Sequence, residues 1–511
     1  MSTPIHRLAV FRADAAPEIG VGHVVRCLTL AYALKKQEWR VALVTVDSTL
    51  AAIPSDPLNG FDIFITDQID DASVMMSHWP HGCDLLVLDH YDLDAAYERV
   101  CKPWANCILV LEDFVGRNHD CDILLDPTLG RAPSDYDTAT PAHTGILTGP
   151  QYALVRSSFY SIHHNQACHR TSTSLQHIVV SLGATDPDNA TCIVLQGLKD
   201  LKLGVDVVLG ASAPHLDAVR AAAARLTPAA ELHIGLDSEN MARLYERADL
   251  CIGAGGSSAW ERCTMGLPSL LVRTADNQND VIAALVRQGV SQFISDSANL
   301  MPEAVADAVG QLVVAPHNLA AMGGASIKTC DGHGAIRVST MLSGLSGEVG
   351  ITNLRPLTLA DEEMLLAWQG EHGSREYFRN PDKPTPEEHA TWFKRHREDP
   401  DGLIFIIEHD RVPVGMLRLD REKLDGMLSV SILLAAAHRA RGIGTDALHL
   451  IHDMWPNSIF CADILSENTA SLRLFHRAGY RPSDGTYIRL PSGCTGQNPN
   501  TLQQIVVGGM E

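Results

Sequence analysis

Arg12-Ala-Asp14-Ala-Ala-Pro-Glu18-Ile-Gly20-Val-Gly22-His23-Val-Val-Arg26-Cys27 follows a short apolar run, Leu8-Ala9-Val10-Phe11, and precedes good helix formers from Leu28 to Lys36. A strand, a glycine-rich turn and a helix in that order bring backbone N–H groups and the positive end of a helix dipole to one point, which favours an anion. The glycines permit close backbone approach, and His23 stands at the helix start, where a titratable ring faces the ligand. The plainer alternative is a dinucleotide-type turn in which His23 caps a helix.

Beyond this turn, Arg40 to Val46, Phe61 to Ile65, Cys83 to Leu88, Cys107 to Leu111 and Ile123 to Leu125 read as buried parallel strands separated by helices or loops. That alternation indicates a doubly wound α/β domain. Asp89-His90-Tyr91 and Asp113 fall just past strands, at the carboxyl ends that face a ligand crevice in open sheets. An Asp cap on the next helix is the alternative for Asp89. Residues 161–175 are polar and without periodicity, and read as an interdomain linker. A second α/β set begins at His177 to Leu182 and continues through Val205 to Leu209, Glu231 to Ile234 and Leu250 to Ile252. Its sharpest motif is Gly253-Ala-Gly255-Gly256-Ser257-Ser258-Ala-Trp-Glu261, a strand opening into glycines and hydroxyls suited to a diphosphate. Glu261, about one helical turn on, suits ribose hydroxyls; it also completes a capping box with Ser258.

The first turn, with its Arg-x-Asp, five residues, and Gly-x-Gly-His-x-x-Arg-Cys, closely resembles the N-terminal signature of the UDP-sugar hydrolases of pseudaminic acid biosynthesis. Leu88 to Tyr91, Leu111 to Asp113, Gly149 to Arg156, Ser181 to Gly183, Gly253 to Glu261 and Asn277-Gln278 resemble the same family in the same order, over residues 5 to about 330. Gly183 is followed by Ala184 where a second glycine is expected. The resemblance implies a GT-B-like pair of Rossmann-type domains, at residues 1–165 and 175–340. It implies a UDP-sugar substrate, cleaved at the anomeric carbon to UDP and free sugar. His23 is then the general base, with Asp14 as an orienting or sugar-contacting partner and Asn277 positioning water or sugar. Substrate contacts fall to Arg12, Gly20, Gly22, Arg26, Asp89, Tyr91, Gly183, Gly256, Ser257, Ser258, Glu261 and Gln278.

A glycine/serine-rich stretch, Met341 to Ile351, reads as a flexible connection to a third domain at residues 352–490, followed by a tail at 491–511. Leu403 to Glu408 and Pro413 to Leu419 read as a hairpin across His409 to Val412, and Met427 to Leu434 as the next strand. That strand runs into His438-Arg439-Ala-Arg441-Gly442-Ile443-Gly444-Thr445 and a helix, a second pyrophosphate cradle built from consecutive N–H groups. It resembles the acetyl-CoA loop of the GNAT acetyltransferases, and Glu467-Asn468 through Gly479-Tyr480 resembles their closing helix and turn. The resemblance implies a GNAT α+β domain that takes acetyl-CoA as co-substrate through Leu433, Arg439, Arg441, Gly442, Ile443, Gly444, Thr445 and Asn468. Glu371, Glu376 and His389 are candidate bases for the accepting amine. Many such enzymes have a tyrosine acid where this chain has Phe475.

The 511 residues carry a formal net charge of −21 and no basic run, which argues against nucleic acid. Twelve cysteines are scattered without zinc spacing and read as reduced thiols; no metal and no tightly bound cofactor are expected. Neither a signal segment nor an apolar run of membrane-spanning length is evident, so the expectation is a cytoplasmic protein that makes no membrane contact. Taken together, the two resemblances imply a bifunctional enzyme that N-acetylates a UDP-4-amino-4,6-dideoxy sugar and hydrolyses the resulting UDP-2,4-diacetamido-2,4,6-trideoxy-β-L-altropyranose. The competing readings are a GT-B glycosyltransferase and a non-catalytic nucleotide-sugar or acyl-CoA sensor.

Overall fold

The computed structural model describes residues 7–15, 20–53, 58–68, 71–166, 174–346, 349–378, 380–422, 427–483 and 485–491. The chain forms two compact units, one of residues 1–131 and 148–335, the other of 132–147 and 336–511. The first unit is built on two parallel sheets. Strands β1 (Leu8–Ala13), β2 (Arg40–Thr45), β3 (Asp62–Ile65), β4 (Leu85–Asp89), β5 (Ile108–Leu111) and β6 (Ile123–Asp126) lie in the order β3-β2-β1-β4-β5-β6. A further strand, β7 (Gly145–Thr148), straddles the boundary between the units. The second sheet holds β8 (His177–Ser181), β9 (Gly204–Leu209), β10 (Glu231–Ile234), β11 (Leu250–Ala254), β12 (Ser269–Arg273) and β13 (Ser291–Asp296), in the order β10-β9-β8-β11-β12-β13.

Both orders reverse beside the first strand of the set, between β1 and β4 and between β8 and β11. Crossovers leave on opposite faces there, and the carboxyl ends part into a crevice. The turn after β1 and Asp89 at the end of β4 therefore border one crevice, and Gly183 and Gly253 to Gly256 border the other. Apolar side chains from both faces of the second sheet, Ile178 and Val180 on one and Val179 and Cys251 on the other, are fully buried. This explains the near-continuous apolar runs that mark these strands in the sequence.

The second unit holds a mixed sheet of β14 (Thr352–Pro356), β15 (Gly402–His409), β16 (Val412–Arg421), β17 (Leu428–Leu434), β18 (Phe460–Ala462), β19 (Arg481–Ser483) and β20 (Thr486–Arg489). The order is β14-β15-β16-β17-β18-β20-β19. Strands β15 and β16 form the expected hairpin, with Asp410 and Arg411 at φ 53° and 63°, the left-handed pair that a two-residue turn demands. β17 and β18 are parallel and pair only at Leu428–Phe460 and Ser429–Cys461, so they part before β17 ends.

Three expectations differ from the structure. Residues 132–147, expected in the first domain, belong to the second unit: Arg397 Nη1 donates to Asp137 Oδ2 at 2.8 Å and Ala360 N to Ala142 O at 3.1 Å. Part of the expected linker at 161–175 is helical, in the helix Ser157–Gln166, while 167–173 lie outside the described residues. The expected flexible connection begins as structure. The helix Gly334–Leu342 buries Met341 and Leu342, and a Cβ on Gly344 would collide with Asn353. Glycine there serves close packing, and composition alone does not separate that from flexibility. Residues 492–511 of the expected tail and 16–19 of the first turn are outside the described residues.

Candidate active site

The helix Gly22–Lys35 starts directly after the first turn, with Gly20 at φ 74°. Among the described residues no side chain caps it, which leaves its first N–H groups available. A Cβ on Gly22 would lie 3.4 Å from Ser257 Oγ, so the glycine turns of the two sheets meet. His23 is buried, and its Nδ1 lies 2.5 Å from Asp89 Oδ1 at the end of β4. Arg26, one helical turn on, donates to both oxygens of Asp89 at 2.6 and 2.7 Å and to both of Asp113 at 2.6 and 3.0 Å. Tyr91 OH donates to Asp113 Oδ2 at 2.7 Å, and the Tyr91 ring meets His23 edge-on at 4.7 Å.

Burial alone would raise the carboxyls of Asp89 and Asp113, but the Arg26 guanidinium outweighs it, lowering Asp113 and holding Asp89 well below the usual carboxylate range. Burial, then the Asp113 carboxylate, push the Tyr91 phenol up. An ionised Asp89 can only accept, so it takes the Nδ1 proton of His23 and leaves Nε2 with the ring's lone pair. Nε2 has no hydrogen-bond partner among the described residues. Two carboxylates against one guanidinium leave a net negative charge beside the ring.

The other sheet contributes Asn277, whose Nδ2 donates to Tyr91 OH at 2.9 Å while its buried Oδ1 has no hydrogen-bond partner. Gln278 Oε1 accepts from Gly255 N at 3.2 Å and Thr274 N at 3.1 Å, which shapes the glycine turn itself. Gly256 leads into that turn. Gly183 sits at φ 110° with open space where a Cβ would be, and the Ala184 methyl lies toward Gly210 instead of narrowing that side.

Several assignments move. Asp14 is not the partner of His23. It is buried against Arg12 Nη1 at 2.7 Å and His90 Nε2 at 3.2 Å, and accepts from Thr45 and Val46 N. Arg12 is fully buried and pairs also with Asp71 at 2.8 Å. The helix Ser258–Thr264 has Ser257 at its N-cap without a side-chain cap, and the capping box does not form. Glu261 instead holds Arg156 through two bonds of 2.7 and 3.0 Å, and Ser258 Oγ accepts from Arg262 at 3.0 Å. Asp113 and Arg156 are the partners that the sequence reading missed as site residues. The position of Asp113 just past β5 was the available signal.

In the second unit, Gly442 (φ 89°) precedes the helix Ile443–Met454, and a Cβ on it would meet open space. Arg439 Nε donates to Leu434 O at 3.0 Å, Arg441 is exposed, Ile443 and Gly444 are buried, and Thr445 N bonds Gly442 O. Leu433 is buried on β17, on the strand that parts from β18. Asn468 caps the helix Thr469–Arg477 through Ser471 N at 3.0 Å. Glu371 Oε2 accepts from Ala436 N at 2.8 Å and so braces the start of this loop; Glu376 is exposed. His389 is buried with Nε2 on Glu362 O at 2.9 Å, a satisfied core histidine. Phe475 is buried against Tyr480 and offers no proton.

Ten described cysteines are buried, and no disulfide joins them. Asp206, Glu231 and His233 bring possible metal-ligand atoms within 4.8 Å, but Arg247 already neutralises Asp206 through bonds of 2.8 Å. Among the described residues no helix is long and apolar enough to cross a membrane.

Comparison with known proteins follows the same division. Residues 352–481 match the family described as Acetyltransferase (GNAT) domain. An uncharacterized protein of Methanocaldococcus jannaschii is 23% identical over 484 residues, covering 92% of this chain and 95% of its own length. The UDP-2,4-diacetamido-2,4,6-trideoxy-β-L-altropyranose hydrolase of Campylobacter jejuni is 24% identical over 284 residues, 55% of this chain and 96% of that protein. Among solved structures, MurG of Acinetobacter baumannii aligns with a TM-score of 0.47 at 14% identity, over 66% of this chain and 99% of its own. The chain thus joins a pair of parallel α/β sheets of Rossmann type, in a region similar to the Campylobacter hydrolase, to a GNAT acetyltransferase domain at residues 352–481.

Proposed function

We propose that the chain is a bifunctional enzyme of nucleotide-sugar biosynthesis. Its C-terminal unit transfers an acetyl group from acetyl-CoA to the amine of a UDP-4-amino-4,6-dideoxy sugar. Its N-terminal unit hydrolyses the product, UDP-2,4-diacetamido-2,4,6-trideoxy-β-L-altropyranose, to UDP and free sugar. The observation that carries the hydrolase reading is the pair of His23 and ionised Asp89, 2.5 Å apart at the switch point of the first sheet. Asn277 reaches the same cluster from the second sheet.

UDP is a good leaving group, so the site's task is to position and deprotonate a water. Nε2 of His23 takes the water proton and the oxygen attacks the anomeric carbon. The bond to the β-phosphate oxygen breaks, and UDP departs with the electron pair. The turns at Gly20 to Gly22 and Gly256 to Ser257 supply N–H groups for the diphosphate. A glycosyltransferase would release UDP only when an acceptor is added, and a sensor would bind without turnover. Chromatography of UDP released from the diacetamido sugar, in water alone, therefore tests the reading. Absence of release without an acceptor would overturn it.

Two further results are expected. Glu261→Ala removes a ribose acceptor and frees Arg156. It should raise KM roughly 10- to 100-fold with kcat nearly kept, since charge-assisted hydrogen bonds are worth about 1.5–3 kcal/mol and this contact is equal in ground and transition states. Collapse of kcat at unchanged KM would place Glu261 in the chemistry instead. Gly442→Val forces a β-branched residue to φ 89° and fills the open space before the helix. CoA release with the amino sugar should fall to background, while hydrolysis of the pre-acetylated sugar continues. Loss of both activities would show the two units to be interdependent.

A further inference from the structure

His119 is buried, and both of its ring nitrogens face carboxylates. Nδ1 lies 2.6 Å from Glu98 Oε1, and Nε2 lies 2.8 Å from Glu112 Oε2. All three side chains are wholly shielded from solvent. A neutral imidazole has one N–H and one lone pair, and the lone pair would point at a carboxylate, so only the doubly protonated ring satisfies both partners. His23 is different: one carboxylate faces it, and its second nitrogen is free.

Glu112 follows β5 directly and is the hub of this arrangement. Its Oε1 accepts from Asp113 N at 2.8 Å and Phe114 N at 3.0 Å; its Oε2 accepts from Arg117 Nη1 at 2.7 Å as well as from His119. Arg117 Nη2 donates in turn to the carbonyls of Tyr91 at 2.5 Å and Leu93 at 3.0 Å. Glu98 Oε2 accepts from Asp120 N. One hydrogen-bonded cluster thus fixes both segments that present the site, the one after β4 with Asp89 and Tyr91 and the one after β5 with Asp113.

We infer that His119 is a positioning residue for the hydrolase site, a fixed positive charge that holds Glu112 and Arg117 in place and through them the carboxylates that orient His23 and Arg26. The claim rests on the hydrolase reading for its kinetic consequence, but not for its geometry. Burial alone would lower the His119 ring. Glu112 and Glu98 outweigh it and raise the ring to about 9. The charged groups facing it are Glu98 from the helix Ala95–Cys101 and Glu112, with Arg117 beyond Glu112; the Cys121 thiol, pushed well up by burial and by Glu98, stays neutral. Because the folded value lies above the unfolded one, the contribution is fully present below about pH 6.5 and is lost as pH rises through about 9.

The experiment compares kcat and KM for UDP release between pH 6 and 10 in the full chain. The wild type should lose kcat as pH rises through about 9. Glu98→Gln leaves Glu112 as the single carboxylate on the ring and should move that loss down by about one pH unit. His119→Gln, with one amide donor set, should lower kcat roughly 100-fold from small misplacement of the base, with KM nearly unchanged, and His119→Lys should recover part of it. An alkaline limb that stays put in Glu98→Gln overturns the inference. If the chain hydrolyses no UDP-sugar, histidine side-chain NMR still decides. Deprotonation of His119 near pH 9 should shift the backbone amide signals of Tyr91 and Asp113, and unmoved signals would overturn the positioning role.

Discussion

His23→Ala should lower the rate of UDP release by about 10²–10⁴-fold, the usual contribution of a positioned general base, while UDP affinity stays within a few-fold of wild type. The separation of effects follows from the geometry. His23 interacts with Asp89 and the Tyr91 ring, whereas the proposed ribose contact, Glu261, lies on the helix Ser258–Thr264 that follows β11 and is held by Arg156. Asp89→Asn should repeat most of the loss, because the amide can present its N–H to Nδ1 and favour the tautomer whose proton is on Nε2, the wrong nitrogen for a base. Calorimetric titration with UDP beside single-turnover release checks both halves of the claim. A His23→Ala protein that turns over like wild type would remove His23 from the chemistry.

Arg26→Met should cost the first unit about 3 kcal/mol, because it leaves the buried Asp89 and the half-buried Asp113 facing each other without their shared counter-charge. The sign with pH is definite. Asp89 and Asp113 are depressed in the folded chain, so their contribution is present above the unfolded carboxylate value and is lost as pH falls through the folded one. In the variant both groups lose the partner that depresses them. The deficit should be largest near neutral pH and shrink as the carboxylates protonate. Thermal melting of wild type and variant from pH 4 to 8 measures it, and a constant difference across that range would mean that the pairing contributes little.

The fold was legible wherever a strand is buried on both faces. β1, β2, β8 and β11 stand out as apolar runs, and the glycine turns after β1 and β11 follow from residue type alone. What the sequence hid is pairing at a distance. Asp14 and Asp89 are equally good carboxylates beside a strand end, and Asp14 is the nearer to His23 in the chain. Strand order decides between them, because β4 lies next to β1 and carries Asp89 beneath the helix that starts at Gly22. Glu98, Glu112 and His119 carry no motif, since a buried charge cluster is recognised only when its members are seen together. Glycine at Gly344 misled for the opposite reason: chain freedom and tight packing against Asn353 call for the same residue. The strands β19 and β20 escaped because none of their residues is buried, so they show no apolar run.

The early parting of β17 from β18 has a consequence for how the acetyltransferase unit holds together. From Val430 onward one side of β17 is a strand edge inside a sheet, with main-chain donors and acceptors that its neighbour no longer meets. An extended molecule carrying its own amides, as the pantetheine arm of acetyl-CoA does, can lie along that edge as a short substitute strand. Its occupancy would then act as a structural stitch as well as a supply of acetyl groups. The melting temperature of this unit should accordingly climb with CoA concentration, by the increment that mass action on the folded state dictates.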